Sequence, residues 1–205
     1  AQISTFSLRA PASTEERYTV LVLDNSASSS FIYNGSIFYT ADTALPYVKK
    51  ASKKFIEDVQ NASGSNYIAI VSFRNNTSTV VSPFTDDTDA LQKAIDSLYA
   101  SGSTRSVYNG FKAAEKLIDS VTNENAIKNV VLFSTGMTND GLYSYSGHYN
   151  TSTIASNWYR TDTGVRLYAY ANSAYTAAEQ LKEKSTVYSI GLFNTMEDMP
   201  ELGRD

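Results

Sequence analysis

Apolar residues in this chain gather in short runs, and the runs alternate with stretches where apolar residues recur every three or four positions. The runs are Tyr18-Thr19-Val20-Leu21-Val22-Leu23-Asp24, residues 67–73, residues 129–134 and residues 186–192. Each is of strand length and nearly continuous, which predicts strands covered on both faces, as in a parallel sheet. Thr79-Val80-Val81 is a candidate short edge strand beside 67–73. Helical spacing falls between the runs. Leu45, Val48, Phe55, Ile56 and Val59 predict a helix over 44–60. Val107, Phe111, Ala114, Leu117, Ile118 and Val121 predict one over 106–121, and similar patterns predict helices over 87–99 and 172–184. Such alternation predicts an α/β fold, doubly wound, with a mostly parallel central sheet and helices on both faces. No repeat or linker divides the chain, so 1–205 is read as a single domain.

Two connections, 27–42 and 136–171, exceed the usual ~2–6 residues of an α/β unit. Both insertions follow the carboxyl end of a predicted strand, the edge where open α/β sheets bind ligands. The second is rich in rings: Tyr143, Tyr145, Tyr149, Trp158, Tyr159, Tyr168 and Tyr170. Such rings either pack on one another and hold the loop, or offer rigid contact area to a partner. Both readings stand, with Tyr143, Tyr145, Tyr149 and Trp158 as the candidate contacts.

Composition narrows the function classes. The net charge is −4 and no basic run exceeds two lysines, so nucleic acid is not an expected partner. No apolar stretch reaches the ~18 residues of a membrane span. The absence of cysteine excludes disulfides, thiolate metal sites and cysteine nucleophiles. The one histidine, His148, lies in the second insertion, and there is no nucleophile elbow, phosphate loop or histidine metal triad. No enzyme is therefore expected. Charged residues are 19% of the chain, below the ~25% of average domains. Ser, Thr, Asn and Tyr replace them, which suits a secreted surface.

The candidate chemistry lies in Asp24-Asn25-Ser26-Ala27-Ser28, which closes the first predicted strand. If the chain turns there, Asp24, Ser26 and Ser28 converge and supply three oxygens to a hard divalent cation. The alternative is a turn whose Asp and Ser cap the next helix. Ser101-Gly102-Ser103-Thr104 leads into a predicted helix, so Thr104 is a candidate fourth oxygen on the same edge. The strand 129–134 ends there too, at Ser134-Thr135-Gly136.

This order resembles the metal-ion-dependent adhesion site of von Willebrand factor type A domains. That family has Asp-x-Ser-x-Ser after its first strand, a Thr before a central helix, and usually Thr-Asp-Gly after a later strand. The resemblance runs over roughly 18–193 and includes Gly102, Gly110, Ala113-Ala114 and Gly191. It implies a Rossmann-like sheet. It also implies Mg2+ (or Mn2+ or Ca2+) held by Asp24, Ser26, Ser28, Thr104 and Thr135, with a carboxylate of the partner completing the ion's coordination. One position departs: Thr135 stands where the family usually has Asp. Three arrangements stay open: weak binding through these residues, binding with Asp140 returning to restore the charge, or no ion.

The resemblance implies an extracellular adhesion module of a bacterial surface or pilus-tip protein, engaging a protein partner such as host extracellular matrix or a cell-surface protein. The alternative is an intracellular scaffold with a degenerate, metal-free site. Residues 196–202 look like the opening of a final helix, from which we expect a piece of a larger protein.

Overall fold

The structure, a computed structural model, describes residues 15–26, 31–33, 36–38, 44–136, 138–148 and 162–191. Ser28, Tyr149, Trp158, Tyr159 and the segment 196–202 lie outside the described residues. In chain order the elements are β1 (Glu16–Asp24), β2 (Phe31–Tyr33), β3 (Ser36–Phe38), α1 (Ala44–Gln60), β4 (Ser65–Arg74) and β5 (Thr77–Thr85). They continue with α2 (Thr88–Ser97), α3 (Val107–Asp119), β6 (Ile127–Ser134), α4 (Asp162–Lys182) and β7 (Thr186–Gly191).

Among the described residues, five strands form one sheet in the order β5-β4-β1-β6-β7. The strands β4, β1, β6 and β7 are parallel, and β5 returns antiparallel along the β4 edge. The expected edge strand at 79–81 is thus the middle of a nine-residue strand. Alternation in β1 explains why its apolar run is continuous. Val20 and Val22 pack with Val71, Phe73, Phe111 and Ile118 on the α3 and α4 side. Leu21 and Leu23 pack with Val48, Ile56, Leu91 and Ile95 on the α1 and α2 side. Successive strand side chains point to opposite faces, and here both faces are roofed by helices. Truncating a core residue such as Leu21 to Ala is expected to cost about 2–5 kcal/mol.

Two expectations need correction. Helix α4 begins at Asp162, not near 172, so the last ten residues assigned to the second insertion are helical. Its buried positions include Tyr168, Ala169, Asn172, Ser173, Ala174 and Ala177, and small or polar residues of this kind hide a helical stripe from a hydrophobicity pattern. Among the described residues, strand β7 is parallel to β6 and stands at the edge of the sheet with Tyr188 and Ile190 exposed, so no described element covers both of its faces. The first insertion holds the antiparallel pair β2–β3.

Two details aim the carboxyl edge. The chain leaves β1 toward β4 on one side and later returns to β6 on the other, so the crevice at the ends of β1 and β6 is a topological switch point, where open α/β sheets bind ligands. Helix α3 lies close on the sheet there. A Cβ on Gly110 would stand 2.8 Å from Val22 Cγ1 and 3.0 Å from Phe73. Glycine thus lets the start of α3, and the loop 101–106 before it, approach the end of β1.

Candidate functional site

Asp24 is the last residue of β1 and is 1% exposed. Its Oδ1 accepts from the Ser26 amide at 3.0 Å and the Ser26 hydroxyl at 2.6 Å. Its Oδ2 accepts from the Thr135 amide at 3.1 Å and the Thr135 hydroxyl at 2.7 Å. Thr135 follows the end of β6, so the carboxylate bridges the two strands at the switch point. Of the expected ligand set, the structure therefore joins Asp24, Ser26 and Thr135 directly. Hydrogen bonds to a charged group contribute about 1.5–3 kcal/mol each, more than neutral ones.

The sequence reading missed Arg105. Its side chain is almost fully buried and its Nε lies 3.6 Å from Asp24 Oδ2. Burial lowers the guanidinium pKa and the Asp24 charge opposes that shift. Its seat is made by Gly136, where an added Cβ would fall 1.7 Å from Arg105 Nη1. The Arg105 backbone is clamped as well. Its amide donates to Asn139 Oδ1 at 2.8 Å, and its carbonyl accepts from the Asn139 amide at 3.0 Å and the Thr138 hydroxyl at 3.3 Å. Ser106 caps α3 by accepting from the Asn109 amide at 3.2 Å. The one signal in the sequence was an arginine placed in a Ser/Gly/Thr loop next to Thr104.

Thr104 sits one residue before Arg105, and its hydroxyl donates to Asp140 Oδ2 at 2.5 Å. Asp140 Oδ1 accepts from the Gly141 amide at 2.7 Å. Asp140 does turn back to this loop, but it meets Thr104 rather than Asp24. Asn75 organises the same loop, a role the sequence reading also missed. Its Oδ1 accepts from the amides of Ser103 and Thr104 at 3.0 and 3.3 Å, and its backbone holds φ at 48°. Asn tolerates that left-handed conformation better than most residues.

The described part of the second insertion stands beside this point. Gly141, at φ +100°, crosses the start of α3, where a Cβ would fall 2.1 Å from Ser106 Oγ. The Ser144 amide donates to the Ala169 carbonyl at 2.9 Å, and Asn172 Nδ2 donates to the Ser144 carbonyl at 3.0 Å, which ties the segment to α4. Tyr143 makes edge contacts with Tyr145 and Tyr170, and His148 stacks on Tyr175 at 4.0 Å. Ring packing and exposure coexist here, since Leu142, Tyr143 and Tyr145 are each more than half exposed. Next to Asp24, the residues Asn25, Ser72, Arg74, Thr77 and Tyr99 line a cleft of about 170 Å³. Arg74 lies 4.8 Å over the Tyr99 ring and donates to its hydroxyl at 3.2 Å.

Charge decides whether these residues fit a divalent ion. The Ser26 and Thr135 hydroxyls donate to Asp24 and keep lone pairs for a metal. Asp24, however, already faces a guanidinium. At about 4 Å, unit charges attract by roughly 4 kcal/mol at an effective dielectric near 20. An ion that took Asp24 as its counter-charge would forfeit that attraction and stand close to the buried guanidinium. Among the described residues no three carboxylates or histidines gather to offset this. The described donors do not fit a divalent ion while Arg105 keeps its seat.

Comparison with known proteins supports the same topology. The family model of the von Willebrand factor type A domain matches residues 19–138. A sequence comparison with curated proteins finds no match. Among solved structures, the PilB minor pilin from Streptococcus sanguinis is similar with a TM-score of 0.58 and 14% identity, covering 89% of this chain and 59% of that one. The open conformation of the pilus adhesin SpaC from Lactobacillus rhamnosus GG gives 0.58 and 15%, covering 85% and 24%. The domain called vWF in the type V pili tip protein Mfa5 from Porphyromonas gingivalis gives 0.50 and 24%, covering 62% and 40%. This chain spans less than two thirds of each of those structures, and identities this low establish the fold alone.

Proposed function

The chain belongs to the von Willebrand factor type A family, and from that premise we propose that it is the ligand-binding module of a bacterial surface or pilus protein. The partner is a protein, and host extracellular matrix or a cell-surface protein is the expected class. The observation that carries this reading is the carboxyl edge itself. At the switch point a rigid centre, Asp24 with Ser26, Thr135 and Arg105, is flanked by the exposed side chains of Leu142, Tyr143 and Tyr145. Exposed aromatics around a rigid core are the composition of a recognition surface. Likeness of fold to pilus proteins supports the surface location. A partner carboxylate on a bound ion, the route the motif implies, is the less supported form, because the charge of Asp24 is already matched. Beads coated with the purified domain are expected to adhere to at least one of a panel of extracellular-matrix proteins or epithelial cells. Replacing Leu142, Tyr143 and Tyr145 together by Ser is expected to lower adherence at least about tenfold while leaving the circular dichroism spectrum unchanged. Undiminished adherence of that variant, or none by the wild type, overturns the reading.

A further inference from the structure

We propose that Arg105 is the built-in counter-cation of this face: its guanidinium, seated on Gly136, neutralises Asp24 in place of a divalent ion, and the face engages its partner without metal. The statement about the partner rests on the binding-face reading above; the statement about the ion does not.

Two features meet here, and both make the site less negative. Thr135 removes one negative charge, and Arg105 adds one positive charge beside the carboxylate that is left. Asp24 and Arg105 together are neutral, so nothing in this pair is left to attract a dication. Thr135 also gains a task, since it supplies two neutral donors to Asp24 Oδ2, the oxygen that faces Arg105. A buried carboxylate is stable only when paired and hydrogen-bonded, and Asp24 has both without an ion. The seat is specific to the arginine. Gly136 is not among the glycines with positive φ, so its backbone admits any residue, yet a single methyl group there would collide with the guanidinium. Clamping by Asn139 and Thr138 fixes the Arg105 backbone before any partner arrives.

The test needs only Mg2+ or Mn2+ and the purified chain. In the wild type, exchanging EDTA for millimolar Mg2+ or Mn2+ is expected to leave Tm unchanged and to give no heat of binding. A site that held the ion at about a hundred times its Kd would raise Tm by roughly 5–10 °C. Arg105→Gln is expected to lower Tm by roughly 10 °C, because Asp24 loses its partner, and Mn2+ is expected to restore part of that loss. Gly136→Ala changes no charge but fills the seat, so it is expected to produce the same ion response in weaker form. Should Arg105→Gln fail to fold, Thr135→Asp serves instead. It adds a negative charge with Arg105 kept, and is expected to confer a Mn2+-dependent rise in Tm that the wild type lacks. A wild type stabilised by Mg2+ or Mn2+ as much as either charge variant overturns the proposal, and so does an Arg105→Gln protein as stable as the wild type in EDTA. No partner enters these measurements, so their failure is separate from failure of the adherence assay.

Discussion

Asp24 and Asp140 both stand at the carboxyl edge of the sheet, within reach of the same loop before α3. Asp24 is sealed, takes hydrogen bonds from Ser26 and Thr135, and has Arg105 as its counter-charge. Asp140 is half-buried and takes the Thr104 hydroxyl and the Gly141 amide, with no cation paired to it by any ion pair among the described residues. The difference lies in what surrounds each group rather than in the group itself. A carboxylate neutralised inside the fold holds β1, β6 and the α3 loop together. A carboxylate at the surface keeps its charge for whatever approaches, next to the exposed Leu142 and Tyr143. Asp24 is thus the pillar of this edge of the sheet, and Asp140 is a carboxylate at its surface.

The harshest way to break that contrast is Asp24→Asn. It keeps the shape but removes the buried charge that Arg105 faces, so chemical unfolding is expected to show a loss of about 3–5 kcal/mol. Pairing it with Arg105→Met, which removes the opposite charge as well, is expected to recover most of the loss. A double variant no better than the single would mean that the two side chains do not act as a pair. Next in size is Thr135→Val. It deletes one hydroxyl donor to a buried carboxylate and is expected to cost about 2 kcal/mol in the same measurement. Asp140→Asn keeps an acceptor for Thr104, so its cost is expected to be about 1 kcal/mol or less, while adherence falls because the exposed charge is gone. Equal stability losses at Asp24 and Asp140 would erase the distinction between them.

The smallest effect belongs to Glu115, a half-buried carboxylate on α3 with two lysine partners. Hydrogen bonds from Lys112 and Lys184 hold the Glu115 carboxyl below its usual range, against the upward push of burial. A carboxyl depressed in the folded state contributes stability above its unfolded value, near 4.3, and loses it as pH falls through the folded value. Wild type and Glu115→Gln are expected to differ by at most about 1 kcal/mol at neutral pH and to converge below about pH 4. A gap that widens on acidification would reverse the sign of that pairing.

Much of the fold was legible because it is written in periodicity. Leu21 and Val22 are both apolar since β1 is roofed on two sides, and α1 was bounded to the residue because its stripe is made of large side chains. The start of α4 was hidden because its large residues, Tyr168 and Tyr170, read as part of the aromatic insertion rather than as a helical stripe. At the site, the order of Asp24, Thr104 and Thr135 along three loops was enough to locate the face. Pairing was not legible. Arg105 looks like any loop arginine until Gly136 is seen beneath it, and the Asp140–Thr104 bond joins residues 36 apart in the chain. Both depend on loop geometry, which carries no period for a pattern to report.

The pillar at Asp24 draws on segments far apart in the chain, with 111 residues separating it from Thr135. Contacts of such separation carry a large loop-closure cost and form slowly relative to local structure. The centre of the face therefore comes into being only when β1, the α3 loop and β6 have all docked. A chain still being threaded or half collapsed shows no partly competent version of it. The hydrogen bonds and ion pair of this centre are therefore expected to form late in folding, together rather than one by one.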